Sequence, residues 1–85
     1  MKHFASARFW TAYGNLPPLV RSSAHKNFAL LKADPSHFSL HLKKVGRFWS
    51  VRAGNGYRAM GVKTRGGILW IWIGTHDEYE RLIRS

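Results

Sequence analysis

Apolar residues fall at two different periods along this chain, and the change comes at Pro35. Before it, Phe9, Tyr13 and Leu16 recur at i, i+4 and i+7, which predicts a first helix from about Phe4 to Leu16. Gly14-Asn15 ends it, and Pro17-Pro18 opens a second helix from about Pro18 to Ala33. Val20, Ala24, Phe28 and Leu31 form the apolar face of that helix, and Asp34-Pro35 stops it, because the residue before a proline is biased away from the α region. The two helices are read as an antiparallel hairpin.

After Pro35 the period shortens to two. Leu40 and Leu42 predict a short strand. Trp49, Val51 and Ala53, alternating with Phe48, Ser50 and Arg52, predict a second. Gly54-Asn55-Gly56 is a turn of the positive-φ kind, and Tyr57 to Lys63 is the returning strand. Thr64-Arg65-Gly66-Gly67 turns the chain again. The strand from Ile68 to Ile73 is apolar on both faces, which suits a central, doubly covered position. A short helix then runs from about Asp77 to Ile83, with Thr75 as its cap and Glu78 three residues on. The expected fold is a single α+β domain over residues 1–85. An N-terminal helical hairpin packs on a twisted antiparallel sheet of about four strands, followed by a short C-terminal helix.

Charge adds what patterning cannot. The chain has 14 Lys and Arg against 4 Asp and Glu, a formal net charge of +10. Before Asp77 the single acid is Asp34, against twelve Lys and Arg, the 14 less Arg81 and Arg84. Such an excess favours a polyanionic partner. With no Cys, disulfides and Cys-based zinc sites are excluded. The N-terminus shows no signal-peptide pattern, and the longest apolar run is too short to span a bilayer. A cytoplasmic protein without membrane association is expected.

Candidate chemistry is restricted. His37 and His41 sit in an extended segment without a nearby carboxylate, so no metal site is expected, and no phosphate loop or cofactor motif occurs. Asp77, Glu78 and Glu80 read as charges at the start of the last helix, with Glu80 facing solvent. Catalysis would fall to His, Lys, Arg or Tyr. RNA cleavage by its own 2′-hydroxyl needs only a proton acceptor, a proton donor and cations on the phosphorane.

Two stretches carry a resemblance. Phe48-Trp49-Ser50-Val51-Arg52-Ala53-Gly54-Asn55-Gly56-Tyr57-Arg58-Ala59 resembles the "sVR…YRa" strand pair of the RelE/ParE toxin superfamily. Trp70-Ile71-Trp72-Ile73-Gly74-Thr75-His76-Asp77-Glu78-Tyr79-Glu80 is similar to its "W-x-W-I-G-x-H-x-x-Y" ending. Leu30 to Pro35, with Ser39-Leu40 and Lys43-Lys44, resembles the linker between that superfamily's second helix and its sheet. The likeness covers nearly the whole chain from about Phe9.

The resemblance implies a toxin of a type II toxin–antitoxin system, held inactive by a cognate antitoxin. Many members cleave mRNA on the ribosome without a metal, leaving a 2′,3′-cyclic phosphate, whereas the ParE branch poisons DNA gyrase. It further implies that Arg58 contacts the scissile phosphate and that Arg52 is a second catalytic cation. His76 would be the proton donor, and Tyr79 would stack on a base or orient the phosphate. Lys43 and Lys44 match a patch that touches ribosomal RNA, and Arg47 and Arg65 join them as candidate RNA-binding residues. The pattern departs at Ser50, where strongly active members carry Lys. No acidic general base lies between the second helix and the third strand, where some relatives have one. A ribosome-dependent nuclease, a gyrase-directed member and a catalytically decayed RNA-binding member all stay open. Trp70 and Trp72 are expected to share a face and form an aromatic dock for the antitoxin.

Overall fold

The computed structural model describes residues 2–84. Its elements run β1 (Lys2–Ala5), α1 (Ala7–Gly14), α2 (Pro18–Ala33), a 3₁₀ turn (Phe38–Leu40), β2 (Lys43–Val45), β3 (Phe48–Gly54), β4 (Tyr57–Thr64), β5 (Gly67–Thr75) and α3 (His76–Arg84). The strands form one sheet in the order β1-β5-β4-β3-β2. β2 to β5 make the expected antiparallel meander. β1 adds a fifth strand, parallel to β5.

The first helix is shorter than its periodicity predicts. Ser6 caps it, accepting a hydrogen bond from Phe9 N at 3.1 Å, and the residues before Ser6 are extended. β1 escapes the sequence pattern because its bulkiest residue, Phe4, is exposed, while His3 and Ala5 face inward. The close approach needs Gly67, where a Cβ would collide with the Lys2 carbonyl.

α1 packs on β5 and α2 on β3. The link between them is closed by Arg21, whose Nη1 donates to the Leu16 carbonyl at 2.8 Å, and by Tyr13, whose hydroxyl donates to the Arg21 carbonyl at 3.2 Å. The core lies between helices and sheet: Leu16, Ala24, Leu31 and Leu40 meet Val51, Ala59, Ile68, Trp70 and Ile73.

Two strand expectations are corrected. The segment around Leu40 is a 3₁₀ turn, because His41 takes a left-handed conformation with φ 48° and breaks the alternation. Leu40 is still fully buried. In β5, Trp70 pairs with Gly61 and Trp72 with Met60, leaving Ile71 as an extra residue in a bulge. The bulge reverses the alternation, so Ile73 joins Trp70 in the core, while Trp72 lies over Gly74 on the other face. Trp70 and Trp72 form no shared ridge.

At the C-terminal end a reciprocal cap starts α3. Glu78 N donates to Thr75 Oγ1 at 3.1 Å, and Thr75 N donates to Glu78 Oε1 at 3.1 Å. Thr75 N and, at 2.9 Å, Thr75 Oγ1 both donate to Glu78 Oε1 and hold its carboxyl below the usual range.

Candidate active site

The sheet face opposite α1 and α2 carries the cations. Arg52 and Arg58 are direct cross-strand partners, so both project from that face, as do the paired Ser50 and Met60. The β3–β4 hairpin also fixes the start of α3, since His76 N donates to the Gly56 carbonyl at 2.8 Å. This contact brings His76 and Tyr79 up to Arg58 from a distant part of the sequence.

Arg58 is 7% exposed. Its Nε donates to Ser50 Oγ at 2.7 Å and its Nη2 to the His41 carbonyl at 3.0 Å. The guanidinium lies 5.2 Å from the centre of the Tyr79 ring, a cation–π distance. Both acceptors are neutral, and no carboxylate forms an ion pair with Arg58 among the described residues. Burial lowers the guanidinium's pKa, Tyr79 works in the opposite direction, the neighbouring charge of Arg52 lowers it again, and the carboxylate of Glu80 raises it from beyond contact distance. An arginine stays protonated in such a setting. The result is a buried, oriented cation that no carboxylate touches among the described residues.

Tyr79 is 1% exposed, and its hydroxyl has no hydrogen-bond partner. An orphaned buried hydroxyl costs about 1–3 kcal/mol. His76 lies 5.9 Å from the Tyr79 ring, and its Nε2 is 3.5 Å from Glu80 Oε1. Glu80 in turn reaches Arg84 at 3.8 Å.

The structure thus brings together Arg52, Arg58, His76 and Tyr79. Sequence reasoning missed three contributors: Ser50 and the His41 carbonyl as partners of Arg58, and Glu80 as partner of His76. Spacing alone offered the last, since residues 76 and 80 are one helical turn apart. The basic residues divide. Lys43 pairs with Ser50 and shares the Arg58 face, whereas Lys44 pairs with Trp49 on the other face. Arg47, stacked on Phe48 at 5.3 Å, and Arg65 lie in turns at the far end of the strands, roughly 20 Å away along β4. They do not join the cluster. No group of three or more His, Cys, Asp or Glu side chains suited to a metal ion occurs among the described residues.

The fold recurs in solved structures. A chain of the RelB–RelE antitoxin–toxin complex from Methanococcus jannaschii superposes with a TM-score of 0.71 at 13% identity, over 93% of this chain and 96% of that one. The fold is RelE-like. The isolated Escherichia coli RelE toxin superposes with a TM-score of 0.63 at 16% identity, over 96% of this chain and 95% of that one. No protein-family model matches the sequence, and no curated protein matches it significantly.

Beneath the helices of this RelE-like fold, a cavity of about 350 Å³ separates α1 from α2. Trp10, Tyr13 and Phe28 wall it, and Trp70 and Ile73 floor it. Trp10 is 58% exposed. His3 lies at its edge, accepting a hydrogen bond from Trp70 Nε1 on its own Nδ1 at 3.1 Å. Burial, then the positive N-terminus and Lys32, lowers the His3 pKa. A depressed pKa means that His3 binds its proton more readily when unfolded. Its contribution to stability is therefore complete above the unfolded value of about 6.5 and is lost as pH falls through the lower folded value. The urea midpoint should fall between pH 7.5 and 5.5, and by less in His3→Gln, which keeps an acceptor for Trp70. An equal fall in both proteins would contradict this assignment.

Proposed function

We propose that this chain is the toxin of a type II toxin–antitoxin system and a metal-independent endoribonuclease acting in the cytoplasm on ribosome-bound mRNA. The observation that carries the reading is Arg58, a buried guanidinium that donates to two neutral acceptors, lies over the Tyr79 ring and touches no carboxylate among the described residues. A phosphate can supply the charge that no contacting carboxylate provides.

In the proposed reaction the 2′-hydroxyl of a nucleotide gives up its proton to solvent water, its oxygen attacks the adjacent phosphorus, and the P–O5′ bond breaks. The products are a 2′,3′-cyclic phosphate and a 5′-hydroxyl. Arg58 and Arg52 neutralise charge on the phosphorane. His76, whose Nε2 lies 3.5 Å from Glu80 Oε1, protonates the leaving 5′-oxygen. Lys43, on the same face, holds RNA backbone, whereas Lys44 on the other face and Arg47 and Arg65 in the far turns stay outside this contact.

We infer that the partner is an acidic antitoxin whose apolar residues enter the cavity between α1 and α2. The net charge of +10 favours an acidic protein, and exposed Trp10 and Phe28 provide the apolar contact.

One observation favours a second reading, a toxin that inhibits DNA gyrase by binding. Ser50 and His41 clamp Arg58 as a structural brace would be clamped. Pulse labelling after induction separates the two. The nuclease reading predicts that incorporation of amino acids stops before that of thymidine. The reverse order, with DNA damage, would favour the gyrase reading.

A further inference from the structure

Phe38 is 84% exposed, more than any other large apolar side chain among the described residues. Its turn is nevertheless rigidly built. The His37 ring stacks on Phe38 at 5.0 Å and 18°. His37 Nδ1 accepts from Ser39 N at 3.2 Å and lies 2.8 Å from Ser39 Oγ. Leu40 anchors the turn in the core, and His41, in the left-handed region, hands its carbonyl to Arg58. An exposed aromatic ring on an anchored turn loses little entropy on binding.

A cleft of about 280 Å³ opens beside this turn. Ser39 lines it together with Lys26 and Asn27 of α2, Arg52 of β3 and Asn55 of the hairpin. Its lining has two cations, two amides and hydroxyls, and no carboxylate. Phe38 and Ser39 are consecutive, so their Cα atoms lie about 3.8 Å apart.

We propose that the Phe38 turn and this cleft form a second nucleotide subsite for single-stranded RNA. Phe38, backed by His37, stacks on a base, and Lys26 takes the adjoining phosphate. The subsite rests on the RNA reading given above, and it extends the strand from Arg58 across Arg52 toward α2. Its aromatic platform favours any base over an abasic sugar and gives no preference among sequences.

The test is fluorescence anisotropy of the full chain with a labelled ten-residue oligoadenylate and with a strand of the same length carrying abasic riboses. Phe38→Ala should weaken oligoadenylate binding roughly tenfold without altering its salt dependence, and Phe38→Trp should restore it. On the abasic strand wild type and Phe38→Ala should bind alike. Lys26→Ala should lower the slope of log K against log salt by about one. Wild-type affinity of Phe38→Ala for oligoadenylate would overturn the stacking proposal and leave the RNA reading standing. An unchanged slope in Lys26→Ala would overturn the phosphate site. Wild-type chain that fails to bind either strand would overturn the subsite and the RNA reading together. If Phe38→Ala keeps its RNA affinity but no longer binds an acidic protein partner, the turn is a protein interface and the proposal falls.

Discussion

Arg58→Ala should lower single-turnover cleavage of ribosome-bound mRNA by about 10² or more, the loss expected when one preorganised group on a developing charge is removed. The guanidinium is held before substrate arrives, by Ser50 Oγ at 2.7 Å and the His41 carbonyl at 3.0 Å, so little reorganisation opposes phosphate binding. Arg58→Lys should recover little of the activity. An ammonium at that depth cannot satisfy both acceptors and still present a planar donor pair to phosphate. Stability should change as well. Without Arg58, the fully buried Ser50 hydroxyl loses its partner, which costs about 1–3 kcal/mol. Ser50→Ala separates the two effects: it removes one positioning bond and keeps the charge. It should therefore retain more activity than Arg58→Ala at similar stability. Activity of Arg58→Ala within threefold of wild type would assign Arg58 to bracing the sheet.

Leu31→Ala should destabilise the free protein by about 2–5 kcal/mol in urea unfolding. Leu31 is 2% exposed and belongs to the cluster that joins α2 to the sheet. At about 0.05–0.15 kcal/mol per residue, a chain of this length has roughly 4–13 kcal/mol in all, so one such cavity removes a large part of it. The cavity already present between α1 and α2 sharpens the effect, because the neighbouring apolar surface is incompletely filled. A partner that binds only the folded state would shift the midpoint back up. An unchanged midpoint in Leu31→Ala would contradict the placement of α2 against β3.

How far the sequence could be read depended on whether each signal was local. α2 begins and ends where its prolines dictate, at Pro18 and Ala33, because both limits come from steric rules on adjacent residues. The β3–β4 hairpin followed from Gly54-Asn55-Gly56 and the flanking alternation. The α3 cap followed from a threonine and a glutamate three residues apart. β1 was hidden because its partner strand is more than sixty residues away, and its own pattern puts Phe4 outward. The β5 bulge was hidden for a related reason. Nothing in an unbroken apolar run marks which residue falls out of register, and that one residue sends Trp72 to the face opposite Trp70.

The candidate site was half legible. Its four proposed catalytic side chains came from motif likeness, and the fold gathers them. What holds Arg58 was invisible, because Ser50 and His41 are 8 and 17 residues from it and meet it only after the sheet forms. His41 carried no assigned role in the sequence, and the group it engages is its carbonyl rather than its imidazole, in the left-handed backbone that also ended the expected strand. Arg47 and Arg65 show the converse. Basic residues that look alike in a charge count sit at the far end of the sheet, and only the register separates them from the cluster.

The central claim is tested most directly by adding the purified chain to a cell-free translation reaction and mapping mRNA 5′ ends by primer extension, with Arg58→Ala in parallel. New ends inside the reading frame that require ribosomes and disappear with Arg58→Ala are expected. An intact message would contradict the claim.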